Sequence, residues 1–358
     1  MYIRRDYSEP FFTGRRRKKK RPIGRYILIV ALISGGILLF SYLNMDRLQM
    51  TALQMLEMAP TPTPFPSELA TRATQLAAVG DLDGAAVLFE QAVNQRPDNI
   101  DYKYEYGLLL LDIGEYAQVE ALGDEIIALS LVDPRGYSLK SAALVLDGSA
   151  TAAIPVALNG IELAPDFAPL YATLSRAYID TSRYEDGLDT GLLAVELAPF
   201  DADAYRAYAY ALNWNGLNAQ ATEQLERAVT VDPSRIPAYF ELAGQYLAVN
   251  RDQEAIDVYN QIRAVQPRNA RASLRLCLAY RKIGQFDQAL GFCEDSVRFD
   301  DTDPEAQFWL GFLQYQNRQF DVALDSFTAC VANDPGGQNW TTLECTYRMG
   351  LSEFYLGD

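Results

Sequence analysis

A 34-residue period constrains the fold of this 358-residue chain more than any other feature. Six prolines separated by 34 or 68 residues mark it: Pro97, Pro165, Pro199, Pro233, Pro267 and Pro335. The two wider gaps contain Asp133-Pro134 and Asp303-Pro304, each three residues late, where Asp fits a helix N-cap and Pro the first helical position. The frame runs over residues 66–337 and predicts eight copies of one structural unit.

Two other positions in the frame predict the structure of each unit. Twelve residues before the proline position the residue is small in seven of eight units, as close helix packing requires: Ala85, Val119, Ala153, Gly187, Ala221, Ala255, Ala289 and Ala323. Five residues earlier stand Gly80, Gly114, Gly148, Ser182, Gly216, Asn250, Gly284 and Arg318. This second position separates two amphipathic stretches, and Gly or Asn there permits a left-handed helix C-cap. Each unit is therefore predicted to be two antiparallel helices joined by a short turn.

The residues at these spacings resemble the tetratricopeptide repeat family. One copy of the family pattern is carried by Tyr239, Leu242, Tyr246, Ala255, Tyr259 and Pro267, and another by Leu310, Gly311, Ala323, Phe327 and Pro335. The stretch YEYGLLLLDIGEYAQVEAL begins a more divergent copy. The resemblance covers about three-quarters of the chain. It implies an all-α fold, a right-handed α-solenoid of tandem 34-residue helix-turn-helix repeats whose first helices line a concave groove.

The frame shifts by about five residues after the eighth unit, at PGGQNWTTLEC. The following stretch, YRMGLSEFYLGD, looks like the first helix of a ninth unit. We therefore expect residues 338–358 to form a partial repeat or a capping helix, since terminal repeats are often atypical.

Charge and hydropathy set the N-terminal segment apart. Residues 1–25 carry ten Lys or Arg and two acidic residues, a local charge of +8, whereas the whole chain carries -16. From Tyr26 to Leu43 the chain is uncharged and mostly apolar. Eighteen helical residues rise ~27 Å, close to the ~30 Å thickness of the bilayer hydrocarbon. We expect one transmembrane helix at residues 26–43, which precedes the solenoid and follows a basic tail.

The flanks of this apolar segment predict its orientation. Basic residues are retained on the cytoplasmic side, so the tail is predicted to be cytoplasmic and the repeats extracytoplasmic. Residues 44–65 are predicted to be a juxtamembrane and Pro-rich linker, because APTPTPFPSE favours extended chain. A cleaved signal peptide is the alternative, and the absence of a small-x-small site after the apolar run disfavours it. A nucleic-acid role is not expected, because the remainder of the chain is strongly acidic.

Four cysteines lie in the last third of the chain. Cys277 and Cys293 stand on either side of the turn at Gly284, and Cys330 and Cys345 on either side of a predicted loop. An exported location would allow the pairs Cys277–Cys293 and Cys330–Cys345 to form disulfides. The alternative is four small buried thiols, because spacing alone does not show bond geometry.

The residue types disfavour catalysis. The chain contains no His, the usual general base and metal ligand, and no CxxC pair. We find no Ser-His-Asp arrangement, phosphate loop or metal-ligand cluster. The sequence therefore predicts a protein that is not an enzyme and has no cofactor, metal site or small-molecule substrate.

The resemblance implies that groove-facing positions bind an extended peptide. In units four to eight they are Arg176, Arg206, Trp214, Phe240, Arg271, Arg281, Phe308, Phe312 and Tyr315. Arginine pairs with carboxylates and aromatic rings supply apolar contact. The alternative is that the aromatic residues pack between repeats. The Lys and Asn set with which some family members hold a C-terminal carboxylate is absent from the corresponding positions.

These features together predict a membrane-anchored scaffold for protein or peptide partners, outside the cytoplasmic membrane of a bacterial-type envelope. One alternative is an accessory subunit that positions substrate for a separate enzyme, or for a glycan or secretion system. A second is a cytoplasmic regulator whose basic tail contacts nucleic acid.

Overall fold

The computed structural model describes residues 64–334 and 340–357. The predicted basic tail, the transmembrane helix at 26–43 and nearly all of the linker lie outside the described residues. In the described part, none of the helices combines the length and the apolar character needed to cross a bilayer. The regular structure of that part consists of seventeen α-helices, with no strands.

The first sixteen helices form eight consecutive pairs that follow the 34-residue frame, and they are numbered here as units one to eight. Their bounds are α1 Pro66–Ala78, α2 Leu82–Gln95, α3 Ile100–Ile113, α4 Tyr116–Leu129, α5 Pro134–Leu146, α6 Ala150–Leu163, α7 Ala168–Asp180, α8 Tyr184–Leu197, α9 Ala202–Trp214, α10 Asn218–Val231, α11 Ile236–Ala248, α12 Asp252–Val265, α13 Ala270–Lys282, α14 Phe286–Phe299, α15 Pro304–Gln316 and α16 Phe320–Asn333. Odd-numbered helices up to α15 are the first helices of their units.

The turn inside each unit has the left-handed conformation that the sequence predicts. All eight residues at this frame position have positive φ, between 77° and 98° for the five glycines. Three units use other residues there, namely Ser182 at 62°, Asn250 at 61° and Arg318 at 60°. Left-handed backbone brings Cβ close to the following carbonyl, so the side chains of these three residues strain the turn.

The small-residue position also behaves as predicted. The seven non-glycine residues there are fully buried, each at 0% exposure. The eighth is Gly187, where an added Cβ would lie 2.6 Å from Cδ1 of Ile179. The two predicted Asp-Pro helix starts are present too, since Asp133 and Asp303 accept hydrogen bonds from the backbone N–H groups of Arg135 and Glu305. The small buried residues let the two helices of a unit approach closely, and the Asp caps define where α5 and α15 begin.

The buried core runs along the array. One cluster, for example, joins Leu212 of α9, Leu242 of α11, Ile256 and Tyr259 of α12, and Leu276 of α13. Each unit thus buries its apolar face against its neighbours, which is how a solenoid is stabilised.

The last described helix, α17, spans Trp340–Leu356 and packs against α15 and α16. It begins seven residues before Tyr347, where the sequence pattern placed its start. The reason is that the Trp340 ring packs edge-on against Phe308, with 5.5 Å between ring centroids. Residues 340–346 are therefore an added part of the helix rather than loop, and α17 covers the end of unit eight as a cap.

Candidate functional site

The first helices of six consecutive units meet around one cavity of about 600 Å³. Its lining comes mainly from α3, α5, α7, α9, α11 and α13, and we call it the central cavity. The wall combines apolar side chains such as Leu108 and Phe240 with hydroxyls and charged groups such as Tyr104, Thr173 and Glu241. The concave face implied by the family resemblance is therefore present and forms a half-open cavity.

The array curves so strongly that distant units touch across this cavity. Arg235, at the start of unit six, donates to Asp112 of unit two over 2.5 Å. Gly80 of unit one lies against Gln266 of unit six, so that an added Cβ would stand 2.8 Å from the Gln266 Cδ. These contacts join residues that are 123 or more positions apart in the chain, and they bring units one and two against unit six.

An ion-pair network lies on the cavity wall. Arg206 donates from Nε to Glu241 over 2.8 Å and from Nη2 over 2.6 Å, and it also pairs with Asp203. Arg176 reaches the same Glu241 over 3.2 Å. Asp203 in turn accepts from Nε of Arg235 over 3.0 Å. The network ties the first helices of units four, five and six together.

The network fixes the protonation of its carboxylates. Burial by itself would raise the pKa of Glu241, but Arg206 outweighs it and lowers the pKa below the ordinary range. Asp203 behaves likewise, because Arg206 and Arg235 overcome the effect of burial and lower its pKa to about 2. By contrast, burial and then repulsion from Asp203 raise the pKa of Asp201. Burial also raises the pKa of the Tyr104 hydroxyl to about 12.

The balance of charge corrects one expectation from the sequence. Four arginines line the central cavity, and so do four carboxylates, Asp112, Asp201, Asp203 and Glu241. Arg176 and Arg206 were expected to await carboxylates from a ligand, but both already pair with Glu241. Much of the positive charge expected in the groove is therefore neutralised within the chain.

The nine predicted groove residues are not gathered in one place. The central cavity brings together Arg176, Arg206, Phe240 and Arg271. Trp214 does not line the cavity; it is 57% exposed at the end of α9 and stacks on Tyr184. Arg281 lies farther along the array, with its guanidinium 4.2 Å from the Trp309 ring.

The remaining three predicted residues are aromatic, and they pack within unit eight or against α17. Phe308 is only 3% exposed, with its ring 4.9 Å from Trp309, so it cannot contact a peptide as predicted. Phe312 carries the Arg348 guanidinium over its ring at 4.6 Å. Tyr315 packs edge-on against Phe320 at 5.3 Å. For Phe308 the alternative interpretation, packing between repeats, is the correct one.

Sequence reasoning missed the acidic half of the site and Arg235. A signal was available for Glu241, which follows Arg206 by 35 residues. That is one residue more than the period, so the two side chains fall on adjacent first helices at nearly the same height. The contact between Arg235 and Asp112 had no such signal, because it depends on how strongly the array curves between unit two and unit six.

The cysteines form the two pairs considered from the sequence. Cys277 of α13 is bonded to Cys293 of α14, with 2.07 Å between the sulfurs. Cys330 of α16 is bonded to Cys345 of α17 at 2.09 Å. All four residues are fully buried.

Comparison with known sequences and structures agrees with this architecture. Residues 76–143 and 246–308 match a family model described as tetratricopeptide repeat, and residues 305–337 match a second model with the same description. The chain contains tetratricopeptide repeats. The helix pairs, the buried small residues and the left-handed turns described above are the structural form of these matches.

Similar proteins share only part of their length with this chain. TPR repeat-containing protein YpiA of Bacillus subtilis (strain 168) is 23% identical over 128 residues, 36% of this chain and 30% of YpiA. Hsp70-Hsp90 organizing protein 1 of Glycine max is 23% identical over 119 residues, 33% of this chain and 21% of that protein. A chain in the crystal structure of the APC/C hetero-tetramer Cut9-Hcn1 superposes with a TM-score of 0.55 at 13% identity, over 79% of this chain and 55% of that one. This last likeness shows the all-helical repeat fold.

Proposed function

We propose that this protein is a membrane-anchored scaffold that binds a protein or peptide partner on the concave face of its repeats. The convergence of six first helices on one cavity of about 600 Å³ carries the proposal. A concave site of this size, lined by both apolar side chains and charged groups, is suited to binding a ligand. The protein's own role is non-catalytic.

The repeat type supports this proposal. Tetratricopeptide repeats mediate protein–protein interaction, and the name of the Hsp70-Hsp90 organizing protein states such a role for that relative. In a repeat array the scaffold is shared, and the side chains on its concave face decide what is bound. The identity of this chain's partner therefore depends on the cavity wall rather than on the fold.

Filling the cavity tests the binding role. Ala142 of α5 lines the cavity, whereas Ala219 is exposed on α10, a helix that contributes nothing to the lining. We expect Ala142→Trp to remove the proteins that co-purify with the full chain, and Ala219→Trp to retain them. Circular dichroism and thermal unfolding check that both variants fold. Equal recovery with both folded variants would place binding elsewhere and reject the concave-face proposal.

We further propose that residues 26–43 anchor the chain in the cytoplasmic membrane of a bacterial-type envelope, with the repeats outside. The uncharged apolar run and its basic N-terminal flank support this topology. The two disulfides support it as well, because disulfides persist in oxidising compartments.

Carbonate extraction and protease accessibility test the topology. The full chain is expected to stay in the membrane pellet at high pH, whereas a variant without residues 1–63 is expected in the supernatant. For the second test, any barrier outside the cytoplasmic membrane is removed while that membrane stays intact. Protease added to these cells should digest the repeats of the full chain. Full release by carbonate would contradict anchoring, and protection of the repeats would contradict the orientation.

A further inference from the structure

Two second helices carry exposed leucines at a position that is polar in the rest of the array. Leu158 of α6 and Leu192 of α8 occupy the same frame position and are 39% and 41% exposed. The other six units have polar residues there, namely Glu90, Asp124, Glu226, Asn260, Glu294 and Thr328. Leu193, next to Leu192, is exposed as well. The repeat fold does not require an apolar residue at this position, so the leucines of units three and four need another explanation.

The outer face of α6 is also almost without charge. Among the eight second helices of the described repeats, α6 carries one charged residue, Glu162, whereas each of the others carries at least two. The other exposed residues of α6 are uncharged, namely Thr151, Ala152, Pro155, Leu158, Asn159 and Leu163. The whole chain has a net charge of -16. The outer face of α6 is therefore a place where another acidic surface can approach with little repulsion.

We propose that this outer face is an interface between two copies of the chain, with α6 packed antiparallel against α6 of the second copy. A two-fold axis that crosses the helices at the level of Leu158 and Leu192 brings each of these leucines against its counterpart. The exposed apolar surface of one copy is then covered by the same surface of the other. The interface goes beyond the proposed binding function, which uses the first helices of the repeats.

The polar groups of α6 fit a second copy in this antiparallel arrangement. Glu162 of one copy comes opposite Thr151 of the other, whose hydroxyl can donate to the carboxylate. A parallel arrangement would instead place Glu162 against Glu162. Pro155 lies inside the helix and has no N–H, so the carbonyl of Thr151 lacks its ordinary helical partner. In the antiparallel dimer, the amide of Asn159 from the second copy comes opposite Pro155 and can donate to that carbonyl.

The size of the face sets the strength of the dimer. A helix as long as α6 or α8 extends ~21 Å and is ~10 Å wide, so the two helices offer on the order of 400 Å² per copy. Stable interfaces bury about 800 Å² per partner, and the dimer is therefore weak and reversible. The acidic remainder of each copy repels the other, so added salt screens the repulsion and strengthens the dimer.

Sedimentation equilibrium of the full chain in density-matched detergent tests the proposal. We expect a monomer–dimer equilibrium whose Kd falls as the NaCl concentration rises. Leu158→Glu and Leu192→Glu should each raise the Kd at least tenfold, because each removes apolar burial and places like charges together at the axis. Asn260→Glu is the matched control, since it adds the same charge at the same frame position of α12 and should leave the Kd unchanged. Thermal unfolding verifies that each variant folds.

Cysteine crosslinking of the full chain in cells identifies what covers the face. The four native cysteines are joined in two disulfides, so a short bismaleimide reacts with the introduced thiol. Asn159→Cys should give a covalent product that contains two copies of the chain, as shown by its mass and by peptide mass spectrometry. Arg227→Cys, at the equivalent exposed position of α10, should give no such product.

Three results would overturn the proposal. The first is a chain that stays monomeric at all concentrations and gives no crosslinked dimer. The second is a dimer whose Kd is unchanged in the folded Leu158→Glu and Leu192→Glu variants, or is raised equally by Asn260→Glu, because another part of the chain or general repulsion would then explain the data. The third is an Asn159→Cys product that contains a different protein or a lipid instead of a second copy. If any of these is found while Ala142→Trp still abolishes partner recovery, the dimer is rejected and the proposed function stands.

Discussion

Arg206 stands between two carboxylates in the wall of the central cavity, and its side chain is only 13% exposed. Its position on the concave face could be predicted from the repeat register. Its partners could not, because a groove arginine looks the same in sequence whether it awaits a ligand or pairs with the next helix. The same ambiguity affected Phe308, whose aromatic ring fits either a ligand contact or a packing residue.

Removing the charge of Glu241 should destabilise the fold. Glu241→Gln leaves Arg206 and Arg176 without a full partner, and we expect the free energy of unfolding to fall by about 2 kcal/mol. The matched control is Glu223→Gln, since Glu223 pairs with Arg227 at an exposed site. Chemical denaturation measures the free energy of unfolding of both variants. The control should lose less than about 0.5 kcal/mol of it. Equal losses would show that the ion-pair network on the cavity wall stabilises the fold no more than an exposed ion pair does.

Arg318 offers a stabilising substitution at the same scale. Its φ of 60° is a left-handed conformation that Gly adopts without strain. We expect Arg318→Gly to raise the free energy of unfolding by about 1 kcal/mol.

The neighbouring residue supplies the control for this prediction. Asn317 has a φ of -78°, so Asn317→Gly gains no relief and should lower stability by roughly 0.5–1 kcal/mol. Thermal melts measure both variants. A loss of stability in Arg318→Gly would mean that the arginine side chain matters more than its backbone strain.

At the scale of elements, the helix pairs were predictable because period, turn and small residues agree in most units. The start of α17 was not, since PGGQNWTTLEC breaks the frame and no repeat position guides its interpretation. Packing decides it instead, through Trp340 against Phe308 and the bond from Cys330 to Cys345. The cap is thus fastened to unit eight by a disulfide and by ring contacts of Trp340 and Tyr355.

This disulfide should stabilise the C-terminal end of the array. Replacing Cys330 and Cys345 together by Ser opens a loop with a sequence separation of 15, and chain entropy then predicts a loss of about 3 kcal/mol. Thermal unfolding without reductant should show the loss, while the difference from the unsubstituted chain should shrink when reductant is present. Four free thiols in the denatured, unreduced protein would contradict both disulfides.

At the scale of the whole array, the decisive feature is curvature. The angle between neighbouring units accumulates along the chain, so small rotations determine whether units one and two meet unit six. Sequence patterns fix which faces of the helices are buried, but not these rotations. The cavity and its cross-array contacts could therefore not be predicted from the sequence, although the concave face itself was expected.

The contact between Arg235 and Asp112 should help to hold the array closed. Both side chains are about one-quarter exposed, at 24% and 25%. We expect Asp112→Asn to loosen the closure and increase the radius of gyration measured by small-angle X-ray scattering. Asp287→Asn, at an exposed position of α14, is the control and should leave the scattering unchanged. Identical curves for both variants would show that packing alone maintains the curvature.

Site-specific photo-crosslinking in living cells tests the central claim most directly. A photoreactive amino acid is placed at Leu108, which lines the cavity, or at Ala219, which is exposed on α10. A partner bound on the concave face should crosslink strongly from position 108 and weakly from position 219, and Ala142→Trp should abolish the first product. Crosslinks from position 219 that persist in Ala142→Trp, with none from position 108, would contradict the account.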